Sequence, residues 1–140
     1  MKLLRWTGSK TKLISAIIEN LPQKFIQDET IPFVEPFVGG MAVIMGLIDH
    51  DIISEQRPVF LYDGNKELIN FYKIVRDNPE KLIHRMNKIF STPITKEKYL
   101  ELRDEYNSLI VEEKILPIKS ASLFMFLNIT GFNGIYLIFF

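Results

Sequence analysis

FVEPFVGG, residues 33–40, is the stretch that decides the fold class. It predicts a short, mostly apolar strand from Pro32 to Phe37, which the glycine pair Gly39-Gly40 ends. The segment that follows, MAVIMGLIDH (41–50), is apolar nearly all round and predicts a buried helix. A strand, a glycine turn and a buried helix in this order are typical of α/β proteins.

The same pattern continues downstream. PVFLY (58–62) predicts a second buried strand that ends at Asp63, and KELINFYKIV (66–75) predicts a helix. One face of this helix is expected to carry Leu68, Ile69, Tyr72 and Val75. The alternation predicts an α/β fold with parallel strands. Because a doubly wound sheet usually has about five strands or more, two convincing strands predict an incomplete parallel sheet.

The flanking segments predict helices. Ser9 is expected to cap an N-terminal helix that Pro22 stops. The apolar positions of this helix are Leu13, Ile14, Ile17, Ile18 and Leu21. Pro79 is expected to begin a helix that reaches about Phe90.

The C-terminal half continues as a helical segment. Thr95 is expected to cap a charged helix. Its apolar positions are Tyr99, Leu102, Tyr106 and Leu109. The last stretch, 118–140, is expected to start as a helix and to break between Gly131 and Gly134.

Composition limits the classes of protein that remain. The chain has 140 residues, 47% of them hydrophobic, which suits one folded domain, and its formal net charge of +0 favours no particular partner. It contains no cysteine, which excludes disulfides and thiolate metal sites. The start, MKLLRW, lacks a secretory h-region and no apolar run is long enough to span a membrane, so we expect a cytoplasmic protein with no membrane partner.

The turn after the first strand is a candidate cofactor site. Glycines let the backbone approach a ligand closely, and the next helix offers free N–H groups to an anion. Asp63, about two dozen residues after Gly39, has the position of the acid that binds ribose hydroxyls in nucleotide sites. Alternatively, the glycines only make a turn and Asp63 only caps the following helix. Together with Glu35-Pro36 inside the strand, these features favour a cofactor pocket.

Four motifs in a fixed order suggest a family. RWTGSK (5–10), FVEPFVGG (33–40), LYDGNKELINFYKIV (61–75) and FLNITGFNGIY (126–136) resemble the adenine-N6 DNA methyltransferases of the Dam type, the D12 class. The resemblance covers nearly the whole chain. It implies a Rossmann-like methyltransferase fold, S-adenosylmethionine (S-adenosyl-L-methionine) as cofactor, and double-stranded DNA as the partner of the complete enzyme.

The resemblance also implies site residues. Cofactor-binding positions would be Trp6, Lys10, Glu35, Pro36, Phe37, Gly39 and Asp63. In this assignment the EPFVG loop wraps the methionine end of the cofactor and Asp63 holds the ribose. DNA contacts would come from Arg5, Lys12 and Asn133, the first two in a basic stretch without acids. Alternatively, Trp6 is a core anchor, Lys10 is a solvated lysine and Glu35 caps backbone amides.

The sequence departs from the family at several positions. Met41 stands where the family usually has a small residue or glycine, so its side chain is expected to narrow the cofactor loop. Ile129 and Leu137 stand where arginines are usual. No Asp-Pro-Pro-Tyr type tetrapeptide, which holds the target amine in the family, occurs in the 140 residues, so no catalytic residue is assigned.

The missing tetrapeptide shapes the expected organisation. We expect one truncated methyltransferase domain, with a cofactor-binding part at 1–76 and a helical segment at 77–140 that leads into an absent target-recognition region. Such a chain alone is expected to be inactive. The alternative is a non-catalytic module that binds cofactor, DNA or a partner, through self-association or a complementing C-terminal part.

A third class, a nucleotide-dependent oxidoreductase, ranks lower because a full G-x-G-x-x-G is absent. His50 and His84 have no companion at ligand spacing, so both are expected at the surface and no metal site is predicted.

Overall fold

The computed structural model describes residues 3–112 and 116–131. This part of the chain is mixed α/β and divides into two compact units, Met1–Gly64 and Asn65–Phe140. The first unit contains a 3₁₀ turn (Lys10–Leu13), α1 (Ile14–Glu19), α2 (Gln23–Gln27), β1 (Phe33–Glu35), α3 (Ala42–Asp49) and β2 (Val59–Leu61). The second unit contains α4 (Lys66–Asp77), α5 (Pro79–Phe90), α6 (Lys96–Val111) and α7 (Pro117–Thr130).

The two strands form a parallel pair, which confirms the predicted α/β class. Their register pairs Phe33 with Val59 and Glu35 with Leu61. The amide of Tyr62 donates to the carbonyl of Glu35 at 2.9 Å. Because the strands are parallel, Glu35 and the residues after Leu61 lie at the same edge of the sheet, where ligands bind in open α/β sheets.

The strands are more exposed than predicted. Val34 is 53% exposed, Phe60 47% and Tyr62 56%, so the prediction of a buried second strand is wrong. The sheet has two strands in the described part of the chain, and a sheet of this width covers little of its own apolar surface.

Helix α3 is also only partly buried. Ile44 and Leu47 are buried in it, whereas Ile48 is 43% exposed, which corrects the prediction of a helix buried all round. The reason is one-sided packing, since within the first unit α3 packs against the 3₁₀ turn and α1. That contact is close: a Cβ added at Gly46 would lie 2.7 Å from Cδ1 of Ile14.

The N-terminal helix differs from the prediction in its start and its length. Ser9 precedes a 3₁₀ turn and makes no capping hydrogen bond, because its hydroxyl pairs with the Thr11 hydroxyl at 2.8 Å. The α-helical part runs only from Ile14 to Glu19, so it ends before Leu21 and before Pro22, where the sequence predicts the stop. Pro22 instead precedes the short helix α2, which was not predicted.

The second unit is a helical assembly around α7. Helices α4, α5 and α6 each pack against α7, which is buried along most of its length. Phe124 of α7 lies 5.6 Å from Phe71 and 6.5 Å from Tyr106, measured between ring centroids, in an aromatic core. These contacts stabilise the four helices through apolar burial rather than through helix propensity.

Local signals predicted these helices well. The Thr95 hydroxyl accepts the amide of Lys98 at 3.3 Å, Pro79 is the first residue of α5, and α7 ends at Thr130, before Gly131. The buried face of α4 agrees with the prediction at Leu68 and Tyr72 but not at the other two predicted positions. Its buried residues are Leu68, Phe71, Tyr72 and Ile74. Ile69 and Val75 are half-buried, because contacts with both α5 and α7 select the buried face.

Within residues 3–112 and 116–131, no helix has the length and apolar character needed to cross a membrane.

Candidate cofactor-binding site

The first unit contains a cavity of about 200 Å³ at the carboxyl end of β1. Six of the seven residues assigned to cofactor binding line it: Trp6, Lys10, Glu35, Phe37, Gly39 and Asp63. The seventh, Pro36, is exposed and does not line the cavity. Motifs separated by more than fifty positions in the sequence therefore meet at one concave surface.

The glycine loop is packed against Trp6. A Cβ added at Gly40 would lie 2.7 Å from Cβ of Trp6, and one at Gly39 would lie 3.0 Å from the indole Nε1. Gly39 also has a φ of 45°, a left-handed conformation that disfavours other residues. The close backbone approach that these glycines allow in this structure is to Trp6, which joins the RWTGSK motif to the loop.

Asp63 is tied to the same loop. Its Oδ2 accepts the backbone N–H of Gly39 at 2.9 Å. It does not cap the following helix, because that position belongs to Asn65, whose Oδ1 accepts the amides of Glu67 and Leu68, both at 3.1 Å. A carboxylate has about four acceptor sites, so the bond from Gly39 uses only part of the acceptor capacity of Asp63.

Glu35 is a buried carboxylate at the cavity. The residue is 9% exposed, and its Oε2 has no hydrogen-bond partner. Burial raises the pKa of Glu35, while a hydrogen bond from the Ile44 amide and the charge of Lys10 lower it by less. The Ile44 amide and Lys10 thus favour the ionised carboxyl, against burial, while Oε2 has no hydrogen-bond partner.

Four basic or polar residues are assigned to cofactor or DNA contacts outside the glycine loop: Lys10, Arg5, Lys12 and Asn133. Lys10 lies in the 3₁₀ turn, lines the cavity and is exposed. Arg5 and Lys12 are exposed and lie outside the cavity lining. Asn133 lies outside the described residues.

Met41 is not among the residues that line the cavity. Its φ of 60° is left-handed and immediately precedes α3. A glycine adopts this conformation without strain. At this position a small residue or glycine is favoured by the backbone conformation, not by the space in the cavity.

Further cavity residues were not predicted. They are Thr7, Gly8, Ser9, Val38, Gly40, Ala42 and Val43. Gly8 has a φ of 74°, which explains the glycine of RWTGSK as a turn residue. Thr7, Ser9, Val38 and Gly40 are direct sequence neighbours of assigned residues, and this adjacency was the signal available for them. Ala42 and Val43 lie in the first turn of α3.

Arg57 is a buried residue that the sequence did not single out. It is 3% exposed, and its guanidinium donates to the carbonyls of Phe25, Asp28 and Ile31 at 2.7, 3.1 and 2.7 Å. These carbonyls lie 26 to 32 residues away, so no local pattern marks the contact. Through these hydrogen bonds, Arg57, the residue before Pro58, holds the segment that precedes β1.

Both histidines are exposed, as predicted, and Nδ1 of His50 lies 2.8 Å from the carbonyl of Gly46. In the described part of the chain, no group of three or more His, Asp or Glu side chains is placed to hold a metal ion.

A glycine loop, a strand-end acid and a buried carboxylate lie around one cavity, at the strand end where ligands bind in open α/β sheets. The sequence model for D12 class N6 adenine-specific DNA methyltransferases matches residues 6–139. The chain belongs to this family, which confirms the resemblance seen in its motifs.

Individual relatives carry corresponding names. The chain is 32% identical over 139 residues to the type II methyltransferase M.MjaIII of Methanocaldococcus jannaschii, covering 95% of this chain and 46% of that protein. It is 31% identical over 133 residues to a DNA adenine methylase of Vibrio cholerae, covering 94% of this chain and 42% of the relative. A DNA N-6-adenine-methyltransferase of Escherichia phage P1 is also 31% identical over 133 residues, covering 95% and 15%.

The chain thus spans less than half the length of the curated relatives it matches.

Proposed function

We propose that this chain is the cofactor-binding part of a site-specific DNA adenine-N6 methyltransferase that uses S-adenosylmethionine. The observation that carries the proposal is the convergence of six motif residues on one cavity with an unsatisfied buried carboxylate oxygen. The parallel strand pair followed at its carboxyl end by this cavity supports a Rossmann-like methyltransferase fold.

The polar groups of the cavity suit the amino-acid end of this cofactor. Glu35 offers a buried acceptor, Oε2, to an ammonium group, which would satisfy the atom that the protein leaves unpaired. Lys10 offers a cation to a carboxylate at the same cavity. When bound, S-adenosylmethionine supplies an electrophilic methyl group.

The other side chains suit an adenosine. Asp63 can accept from ribose hydroxyls in addition to the Gly39 amide, since carboxylates accept several hydrogen bonds. Trp6 and Phe37 present aromatic surface, and Phe37 is 75% exposed beside the cavity. In this assignment the bond between Asp63 and Gly39 couples ribose binding to the conformation of the glycine loop.

The DNA substrate and the reaction follow from the family. We propose adenine in double-stranded DNA as the target, with Arg5, Lys12 and Asn133 among the DNA contacts. The 140-residue chain by itself is proposed to transfer no methyl group, because its sequence lacks the tetrapeptide that holds the target amine.

A second candidate function is a non-catalytic module that binds cofactor, DNA or a partner chain. The exposed apolar residues of the strand pair favour it: Val34, Val59, Phe60 and Tyr62 offer a surface for another polypeptide. Cofactor binding without methyl transfer is common to both candidates. Methylation of an adenine-containing duplex by the purified chain would exclude the second candidate and the proposed inactivity.

The test is a calorimetric titration of S-adenosylmethionine into the purified chain. We expect saturable binding that Asp63→Ala weakens about tenfold or more, because one hydrogen bond to a charged group contributes about 1.5–3 kcal/mol. Asp63→Asn separates the hydrogen bond to the loop from the negative charge of the side chain. The asparagine amide oxygen can still accept from Gly39, but the charge is removed.

Asp104→Ala is the matched control, because Asp104 is an exposed carboxylate in the second unit, paired with Arg103. Equal binding by the parent, Asp63→Ala and Asp104→Ala, or no heat from a chain that circular dichroism shows to be folded, would contradict the proposed site.

A further inference from the structure

Helix α5 carries a basic stripe. Lys81, His84, Arg85 and Lys88 follow the spacing i, i+3, i+4 and i+7, which places them on one side of the helix. The helix has a single acidic residue, Glu80, in its first turn. We use the name α5 stripe for the four basic residues.

The stripe lies beside the buried face of α5, not within it. Leu82 and Met86 hold the helix against the core of the second unit. Lys81, His84 and Lys88 are exposed. The positive groups are therefore presented to solvent on a helix whose own position is fixed by packing.

Arg85 is held in place more firmly than the other three. It is half-buried, and its Nε donates to the Ser122 hydroxyl of α7 at 3.2 Å. Ser122 is fully buried and donates in turn to the carbonyl of Lys119. This chain of hydrogen bonds orients the guanidinium at the junction of α5 and α7.

The stripe borders a groove inside the second unit. Lys81, His84 and Arg85 line one side of this groove of about 630 Å³, and the start of α7, from Leu116 to Lys119, lines the other. Lys119 adds a further basic side chain to the lining, and the first turn of α7 has backbone N–H groups outside the helix ladder.

The acids near the groove do not neutralise it. Glu80 lines the groove, and Glu105 of α6 forms an ion pair with Lys119. In the described part of the chain, none of the ion pairs involves Lys81, Arg85 or Lys88. Although the whole chain has a formal net charge of +0, this surface is locally positive.

We propose that the α5 stripe binds the sugar-phosphate backbone of double-stranded DNA, as a contact surface separate from Arg5, Lys12 and Asn133. The inference rests on the proposed function, which supplies DNA as the partner, and charge complementarity selects the phosphates within it. At a rise of about 1.5 Å per residue, Lys81 and Lys88 are about 10 Å apart, the axial length of about three nucleotides.

Such contacts position a protein on DNA without reading its sequence. Lysine binds phosphate as a point charge, so its removal weakens binding equally on all sequences. Each phosphate contact also releases condensed counterions. The logarithm of the binding constant then changes with the logarithm of salt concentration by about 0.9 per contact.

The experiment compares two double variants with the parent 140-residue chain. Lys81→Gln with Lys88→Gln removes two stripe charges, and Lys73→Gln with Lys96→Gln removes two exposed charges elsewhere in the same unit. Fluorescence anisotropy of a labelled duplex is measured for each chain over a series of salt concentrations. We expect the salt slope to fall by about 2 for the stripe variant alone.

Three outcomes would overturn the proposal. These are absence of salt-dependent binding by the folded parent chain, an unchanged slope in the stripe variant, and an equal loss of slope in both variants. Equal loss would indicate a response to total charge rather than to this surface.

Calorimetry with S-adenosylmethionine separates the two proposals. The stripe variant is expected to bind cofactor as the parent does, because its substitutions lie outside the cavity. Lost slope with no cofactor binding by the parent would contradict the proposed function but not the stripe. Cofactor binding by the parent together with an unchanged salt slope in the stripe variant would contradict the stripe but not the proposed function.

Discussion

At the scale of single residues, Glu35 is a carboxylate whose burial opposes its negative charge. It is buried, it borders the cavity, and its Oε2 lacks a partner. An unsatisfied buried acceptor costs stability that a bound donor restores. We infer that the fold accepts this cost because the carboxylate is placed for a ligand.

The pKa of Glu35 makes the cost measurable. Burial raises the pKa of Glu35 in the folded state, so the fold favours its protonated form. The contribution of this side chain to the free energy of unfolding is therefore complete below the unfolded pKa of about 4.3. It is lost as pH rises through the folded-state pKa. We therefore expect Glu35→Gln to raise the thermal unfolding midpoint at about pH 7 and to leave it unchanged near pH 3.5.

Glu97→Gln is the control with the opposite sign, since hydrogen bonds from its own backbone and from Thr95 lower the pKa of Glu97. That variant should lose stability at neutral pH. A Glu35→Gln chain less stable than the parent at pH 7 would disprove the stated role of burial.

Gly40 tests the contact between the loop and Trp6. Gly40→Ala would place a Cβ 2.7 Å from Cβ of Trp6, an atom that cannot move away without its backbone. We expect a loss of about 1–3 kcal/mol in the free energy of unfolding, from urea titration. The emission of Trp6, the single tryptophan of the chain, should shift as well.

Gly64→Ala is the matched control, because a Cβ at Gly64 meets nothing within 4 Å. Its stability should stay within about 0.5 kcal/mol of the parent. Similar losses in both variants would mean that glycine flexibility, and not the Trp6 contact, governs the loop.

At the scale of elements, Arg57 stabilises the entry to the strand pair. Its guanidinium also lies 4.0 Å from the centre of the Phe25 ring, so a planar cation fills a site with three carbonyl acceptors and one aromatic face. An ammonium cannot reproduce this fork of donors. We expect Arg57→Lys to cost about 2–3 kcal/mol in the free energy of unfolding.

Arg76→Lys serves as the comparison, since Arg76 is 74% exposed and pairs only locally with Asp77. Exposed pairs contribute about 0–1 kcal/mol, and lysine retains the charge, so little change is expected. An Arg57→Lys chain as stable as the Arg76→Lys chain would show that the buried hydrogen bonds contribute nothing net.

The elements also show which sequence signals are reliable. Pro79, Thr95 and Gly131 act within a few residues of themselves, so the bounds they predicted for α5, α6 and α7 agree with the structure. Ser9 did not act as a cap, because its hydroxyl found Thr11 instead. The burial of the strands was mispredicted because it depends on chain segments that are distant in the sequence. Strand register is hard to predict for the same reason.

At the scale of the whole molecule, the exposed strand pair is the main liability. In the described residues the sheet has two strands, so each has one edge without a neighbouring strand, and Val34 is 53% exposed on β1. Open edges pair with other chains. Light scattering over a dilution series should show mass increasing with concentration, and Val34→Lys should reduce the increase.

Ile83→Lys is the control for this prediction, because Ile83 is 58% exposed on a helix and offers no strand edge. A chain that stays monomeric at every concentration, or that responds equally to both variants, would refute association through the sheet.

The sequence by itself determined the family, the α/β class, the parallel strand pair and most helix bounds. The order of the motifs identifies the family, and the helix bounds follow from capping chemistry, which acts within a few residues. It also named six residues that share one cavity. Only the tertiary structure decided that Gly40 makes room for Trp6, that Asp63 binds the loop, and that Arg57 joins distant carbonyls. These contacts join residues 24 to 34 positions apart, and packing in three dimensions, which no local pattern records, selects them.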